Sequence, residues 1–155
     1  MLIKSRAVLE LVDEIVDRAD RANPGDRAFL EQALSGYVSA MVYSEVEKKV
    51  EAILSDRFGG IGDRKVSHFI SQTYGKNQGR IKKSDIADLA KRFGEECKEL
   101  FNSSVPDQYA TYYSNLLTCR HNLAHGEPEA TTLMTARQGI DAAELFLEKF
   151  ELSIR

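Results

Sequence analysis

The residues with the richest chemistry in this sequence lie in one short segment, CRHNLAHGEP, which runs from Cys119 to Pro128. The segment contains Arg120, His121, Asn122 and His125. An unperturbed imidazole titrates near neutral pH, so histidine can accept or donate a proton. The planar guanidinium of arginine matches the oxygens of a phosphate group. The segment is therefore a candidate site for acid–base chemistry on a phosphate ester.

A metal site is the first alternative for this segment. His121 and His125 are four residues apart, so on a helix they would share a face, as two zinc ligands do. The glutamate that would act as a general base is missing, because Asn122 follows His121. Glu127 or Glu129 could supply a third ligand, but no spacing marks either of them. We therefore expect no metal and no other cofactor.

Cleavage of a phosphodiester without a metal uses the residues that are present. Attack by a ribose 2′-hydroxyl needs a proton acceptor, a proton donor for the leaving 5′-oxygen, and cationic hydrogen bonds to the phosphoryl group. His125 can transfer protons, Arg120 can stabilise charge, and His121 or Asn122 can position the substrate. On a regular helix five positions turn about 140°, so Arg120 and His125 of one chain would point apart. A two-fold homodimer would bring two copies of both residues to one phosphate.

The same segment is also compatible with a purely structural helix end. Cationic His121 and His125 would favour the negative end of the helix dipole, and Gly126 is a common residue after a helix.

Glu45 bears on the choice between these two interpretations. Its carboxylate is predicted to project from a second helix among apolar neighbours, which are Leu34, Val38, Met41, Val42 and Ala52. A buried carboxylate is costly unless it is paired. A contact with Arg120 would direct the guanidinium towards a phosphate, and a surface pair with Lys48 or Lys49 is an equal alternative.

A basic segment from Arg64 to Ser84 contains six Lys or Arg residues and no acid, so with a net charge of -3 the rest of the chain sums to -9. Clustered cations bind phosphate backbones, and a solvated loop is the equal alternative. The residues predicted to bind RNA are Lys76, Arg80, Lys82, Lys83 and Tyr113. For Tyr113 and its neighbours Tyr109 and Tyr112, a core or groove-lining position is more common than stacking on a base.

Apolar residues recur at helical spacing through nearly the whole chain, and strand-like alternation is scarce. A first helix carries Leu9, Val12, Val16 and Ala19, and a second spans about residues 27 to 57. A short third helix contains Val66, Phe69 and Ile70; a fourth begins at Ser84 or Asp85 and includes Ile86, Leu89, Phe93, Cys97 and Leu100. Ser103–Pro106 opens a fifth that runs into the histidine segment, and Thr131 or Thr132 begins the last. These patterns predict an all-α fold in a single domain over residues 1–155, an antiparallel up-and-down bundle of four main helices plus short accessory helices.

Composition narrows the class of protein further. The two cysteines, Cys97 and Cys119, fall inside helical patterns, which favours buried free thiols in a reducing compartment. The N-terminal segment mixes acids into its apolar residues, unlike a secretory signal, and no segment approaches the length of a membrane span. We expect a cytoplasmic protein that does not enter a membrane. Serine hydrolase, P-loop, Rossmann and zinc-finger signatures are absent.

The segment RHNLAHG, from Arg120 to Gly126, resembles the Arg-x4-6-His motif of the HEPN superfamily, and its Ala-His-Gly ending looks closest to the RiboL-PSP type. The resemblance extends in outline over most of the chain, since these domains are helical bundles with the motif on a late helix. It implies a metal-independent endoribonuclease that acts on RNA as a homodimer, with Arg120 and His125 catalytic.

The resemblance also implies a role in a toxin–antitoxin system, phage defence or RNA processing, with a cognate antitoxin or other effector subunit as partner. Glu45 would match an acidic residue that many members keep on an earlier helix. The rival interpretation is a non-catalytic HEPN-like interaction module that binds a protein or a nucleotide.

Overall fold

The computed structural model describes residues 1–23, 25–74, 79, 81–125 and 132–155. These residues form no strand and seven helices, which are α1 (Ile3–Ala22), α2 (Arg27–Gly59), α3 (Arg64–Tyr74), α4 (Lys83–Lys91), α5 (Glu95–Ser104), α6 (Asp107–His125) and α7 (Leu133–Ser153). Four helices are long, with 20, 33, 19 and 21 residues in α1, α2, α6 and α7. The other three have 11, 9 and 10 residues. The predicted all-α helical bundle with four main helices and short accessory helices is confirmed.

The described residues divide into two compact units. The first contains Met1–Glu45 and Asp107–Glu144, and the second contains Val46–Pro106 and Leu145–Arg155. None of the helices within the described ranges combines the length and the apolar character needed to cross a bilayer.

The first unit buries one apolar stripe from each of its helices. The predicted stripe of α1 is buried at Leu9, Val12 and Val16. The buried side chains of the other helices include Val38, Val42, Tyr113, Leu116, Ala136 and Ile140. Gly139 on α7 allows a close approach to α6, because a Cβ added there would lie 2.5 Å from Cδ1 of Leu116. The short distance between α6 and α7 therefore depends on having a residue without a side chain at position 139.

The second unit has an aromatic core. Phe101 and Phe146 meet edge to face with their ring centroids 6.0 Å apart, and Phe58 stacks on Phe93 at 5.9 Å. Aromatic pairs in these two arrangements are favourable beyond the area that they bury.

The prediction of one continuous fourth helix from Ser84 or Asp85 to Leu100 is wrong, because two helices, α4 and α5, cover this segment and are separated at Gly94. Gly94 has a φ of 151°, in a region that side chains other than glycine rarely adopt. The break turns α5 away from the register of α4, so Leu100, predicted to face the core, is 52 % exposed, and Phe101 is buried instead.

Helix ends differ from the predictions by one or two residues. The N-cap of α4 is Lys82, and Asp85 lies one turn inside, where its carboxylate accepts the Lys82 backbone N–H at 3.1 Å. At α7, Thr132 precedes the first helical residue and its hydroxyl accepts the N–H of Thr135 at 3.2 Å. Thr131, the other predicted start, lies outside the described residues.

Both cysteines are free thiols, as predicted. Cys119 is buried in the first unit, whereas Cys97 is only half-buried in the second.

Candidate active site

Helix α6 carries the candidate catalytic residues in its last two turns. Upstream, Tyr113, Leu116 and Cys119 are buried at spacings of three residues, so they fix this face of α6 against the core of the first unit. Arg120 projects close to the direction of Leu116, because four positions turn only about 40° beyond a full circle. The packing of this buried face thus sets the direction in which the Arg120 side chain leaves α6.

Arg120 is half-buried and its guanidinium stacks on an aromatic ring. The central guanidinium carbon lies 4.2 Å from the ring centroid of Tyr43 on α2. Contacts of this kind contribute on the order of 0.5–2 kcal/mol, depending on how dry they are. The contact with the ring uses the face of the guanidinium and not its N–H donors. Sequence reasoning missed Tyr43, since one tyrosine on a distant helix belongs to no motif.

His121 and His125 form a pair on the outer side of α6. Both are exposed, and their ring centroids are 4.4 Å apart with the planes tilted by 54°. Asn122 between them is half-buried. The i,i+4 spacing that suggested a shared face therefore does place the two imidazoles side by side.

Arg120 and His125 leave α6 in different directions. Five helical positions separate them by about 140°, and the guanidinium rests on Tyr43 while both imidazoles face solvent. A single chain thus places two imidazoles and a guanidinium at adjacent but differently oriented positions.

The alternative metal site would need a third ligand beside the two histidines. Glu127 and Glu129, the candidates named from the sequence, lie outside the described residues. Within the ranges that the structure describes, no group of three His, Cys, Asp or Glu side chains is arranged to hold a metal ion.

Glu45 is bonded to the N-terminus of α1. Its carboxylate accepts the backbone N–H groups of Lys4 at 3.2 Å and Ser5 at 2.8 Å, and the Ser5 hydroxyl at 2.7 Å. The N-cap residue of α1, Leu2, has no side chain to accept such bonds. The carboxylate therefore satisfies N–H groups that have no partner within α1, and its negative charge interacts favourably with the positive end of the α1 dipole.

The predicted apolar surroundings of Glu45 are partly as expected. Val38 and Val42 are buried, Leu34 and Met41 are half-buried, and Ala52 is exposed. A catalytic role for Glu45 stays a prediction.

Glu144 supplies a second carboxylate at the same helix end. It accepts the backbone N–H of Leu2 at 2.6 Å and a guanidinium N–H of Arg6 at 2.8 Å. Burial raises the pKa of Glu144, but the bonds from Arg6 and Leu2 and the charge of Arg6 outweigh it and lower the pKa overall. Sequence reasoning missed this residue too, because nothing local links positions 2 and 144.

The predicted RNA-binding residues fall in different places. Lys76 and Arg80 lie outside the described residues. Lys82 is exposed and Lys83 half-buried at the start of α4 in the second unit. Tyr113 is buried with 1 % of its surface exposed, so its ring belongs to the core of the first unit.

One exposed face of α2 carries no charge. Its five residues project within about 80° of one another and are all exposed; they are Phe29, Ala33, Tyr37, Ala40 and Ser44. Phe29 is 73 % exposed and Tyr37 is 52 % exposed. Ala40 is an i,i+3 neighbour of Tyr43, so this uncharged α2 face borders the ring that holds Arg120.

A comparison with protein families adds to this geometry. Neither a curated protein nor a solved structure matches the chain significantly. The family model described as RiboL-PSP-HEPN matches residues 6–155, essentially the whole length. With its helical bundle and its Arg120–His125 segment at the end of α6, the chain belongs to the RiboL-PSP-HEPN family.

Proposed function

We propose that this protein is a metal-independent endoribonuclease whose active site is completed by a second copy of the chain. The observation that carries the proposal is the exposed His121–His125 pair, 4.4 Å between ring centroids, next to a half-buried Arg120 that is held on Tyr43. Exposed imidazoles can reach a polymeric substrate, and a restrained guanidinium provides charge stabilisation in a fixed position.

The proposed reaction is an internal transfer at phosphorus. His125 removes the proton from a ribose 2′-hydroxyl, the 2′-oxygen forms a bond to phosphorus, and the bond from phosphorus to the 5′-oxygen breaks. His125 of the partner subunit donates the proton that the leaving 5′-oxygen needs. Arg120 hydrogen-bonds the phosphoryl oxygens as their negative charge increases, and His121 and Asn122 position the substrate. The products are a 2′,3′-cyclic phosphate and a 5′-hydroxyl.

A homodimer is proposed because one chain directs Arg120 and His125 apart. The uncharged α2 face supports this arrangement, since exposed aromatic and small residues without charge are typical of surfaces that are buried on association. Its position beside Tyr43 would bring a second copy close to Arg120.

The wider setting is also a proposal. The resemblance supports a cytoplasmic nuclease of a toxin–antitoxin or phage-defence system, with an antitoxin or effector subunit as partner. Lys82 and Lys83, with Lys76 and Arg80, would contact the RNA backbone.

The test is cleavage of RNA by the purified protein in excess EDTA, with end analysis of the fragments. We expect cyclic phosphate ends, and a loss of about 10²- to 10⁴-fold in rate for His125→Ala. His68→Ala is the matched control, because His68 is an exposed histidine on α3. Cleavage at an unchanged rate by folded His125→Ala would reject the assignment.

Mixing wild-type protein with an inactive variant tests the shared site. If one site needs His125 from both chains, an excess of His125→Ala should suppress wild-type cleavage as mixed dimers form. Wild-type activity that stays unchanged although the subunits exchange would show that each chain acts alone. A chain that never cleaves RNA but loses a bound partner in Arg120→Ala would instead fit the interaction module.

A further inference from the structure

A pocket lies within the second unit, whereas Arg120, His121 and His125 belong to the first. Its volume is about 390 Å³, and its walls come from α2, α3, α4 and the residues that follow them, among them Leu54, Phe58, Ile70 and Leu89. This volume falls in the range of small-molecule sites, about 300–1,000 Å³. The pocket is thus large enough for a ligand.

Buried apolar side chains form part of the pocket wall. Leu54, Phe58 and Leu89 are buried, and Phe58 is stacked on Phe93 with an angle of 17° between the ring planes. Such side chains offer dispersion contacts to an apolar chain.

The apolar surface continues out of the pocket along α3. Ile70 lines the pocket, and its i−4 neighbour Val66 and the adjacent Phe69 are 45 % and 69 % exposed. Leaving such surface in water is unfavourable, and contiguous apolar patches on a protein usually mark a binding site. An apolar ligand longer than the pocket could therefore extend over α3.

Among the described residues of the lining, Arg57 and Arg92 are charged. Arg57 lies in the last turn of α2, and Arg92 is the C-cap of α4. Both are exposed, and Arg57 makes no ion pair within the described part of the chain. Arg92 also interacts electrostatically with Asp88, whose carboxylate is paired with Lys98. Each helix end contributes about half a negative charge at most, so the two guanidinium charges still leave the edge of the pocket positive.

We propose that this pocket binds an anionic amphiphile, a single alkyl chain that ends in a carboxylate or a phosphate. The chain lies against Leu54, Phe58 and Leu89, and the anionic head is bound by Arg57 and Arg92. A nucleobase fits less well, because the described residues that line the pocket include no amide or hydroxyl side chain to satisfy its polar edges. The site is independent of the ribonuclease reaction.

Binding to the full-length protein is measured by displacement of the fluorescent fatty acid 11-(dansylamino)undecanoate, below the micelle concentration of each competitor. Laurate and dodecyl phosphate are compared with neutral dodecanol and cationic dodecyltrimethylammonium. We expect the two anions to bind about tenfold more tightly than dodecanol, a difference typical of one charge-assisted contact. Whichever anion binds more tightly identifies the head group.

Two arginine variants complete the test. Arg57→Gln should weaken laurate several-fold and leave dodecanol unchanged, whereas Arg64→Gln, an exposed arginine on α3, should affect neither. Equal affinity for laurate and dodecanol, or wild-type affinity of Arg57→Gln for laurate, would overturn the proposal. Displacement of the probe by uridine monophosphate or by an acidic amphipathic peptide, but not by laurate, would also overturn it in favour of that ligand.

Discussion

The guanidinium of half-buried Arg120 lies over the ring of Tyr43. The sequence could not identify Tyr43, since the motif from Arg120 to His125 contains the candidate catalytic residues but not the residues that contact them. The spacing of His121 and His125 did predict their shared face, because helical geometry fixes i,i+4 neighbours. Motif residues were thus accessible to sequence reasoning, whereas supporting residues from distant helices were not.

Substitution of Tyr43 tests this orientation. Tyr43→Phe keeps an aromatic face for Arg120 and should retain the cleavage rate. Tyr43→Leu removes the ring, and we expect a loss of about tenfold in kcat, because misplacement of a charge-stabilising group is costly. The comparison is made at equal folded fraction, measured by circular dichroism. If both variants lose activity equally, the ring does not orient Arg120.

Helices as elements were largely predictable, and their interruptions were not. The apolar stripes of α1 and α7 are long enough to identify both helices from the sequence. The apolar pattern from Ile86 to Leu100, however, continues across Gly94 and does not show that the helix is interrupted there. Glycine permits the positive φ at position 94, but whether the residue adopts it depends on tertiary packing, which the sequence pattern does not show. The distance between α6 and α7, which positions the motif, rests on Gly139 in the same inconspicuous way.

Gly139→Ala is expected to destabilise the protein by about 1–3 kcal/mol, the usual cost of overpacking. The added Cβ would meet Leu116 at 2.5 Å, and α6 would have to shift. Gly59→Ala is the control, because nothing lies within 4 Å of a Cβ at the end of α2. Urea unfolding of both variants measures the difference, and equal midpoints would show that α6 and α7 are not in close contact.

The tie between α1 and α7 should weaken in acid. The pKa of Glu144 lies below its ordinary value of 4.5, so its stabilising effect is complete above that pH and is lost as the pH falls through the lowered pKa. Arg6 is partly exposed, so we expect Glu144→Gln to cost about 1 kcal/mol at neutral pH. Unfolding free energies of both proteins, measured from pH 7 to pH 2, should converge in acid. A constant difference would contradict the linkage.

At the scale of the whole molecule, the proposed dimer depends on how charge is distributed over the surface. The chain has a net charge of -3, but none of that charge lies on the uncharged α2 face. A like-charged pair of chains associates most easily through such a face, because no charge has to be desolvated there. The sequence predicted a dimer from the directions of Arg120 and His125, and the exposure of side chains on α2 supports the proposal that the two copies meet on that face.

Ala33→Glu should therefore disrupt the dimer and with it the cleavage of RNA. Two glutamates facing each other across a two-fold axis would repel and would lose their hydration. Ala52→Glu is the matched control, since Ala52 is also an exposed alanine of α2 and lies outside the uncharged α2 face. Light scattering gives the molar mass of each variant. A dimeric and active Ala33→Glu protein would place the interface elsewhere.

The first helix begins without a capping side chain of its own. The N–H groups of Ser5 and Leu2 at its start instead donate hydrogen bonds to the carboxylates of Glu45 and Glu144, 40 and 142 positions away in the chain. Helix nucleation is unfavourable, so we expect the first turn of α1 to form only after Glu45 and Glu144 have reached it. Because these contacts are distant in sequence, we expect this turn to be among the last parts of the protein to become protected against amide exchange during refolding.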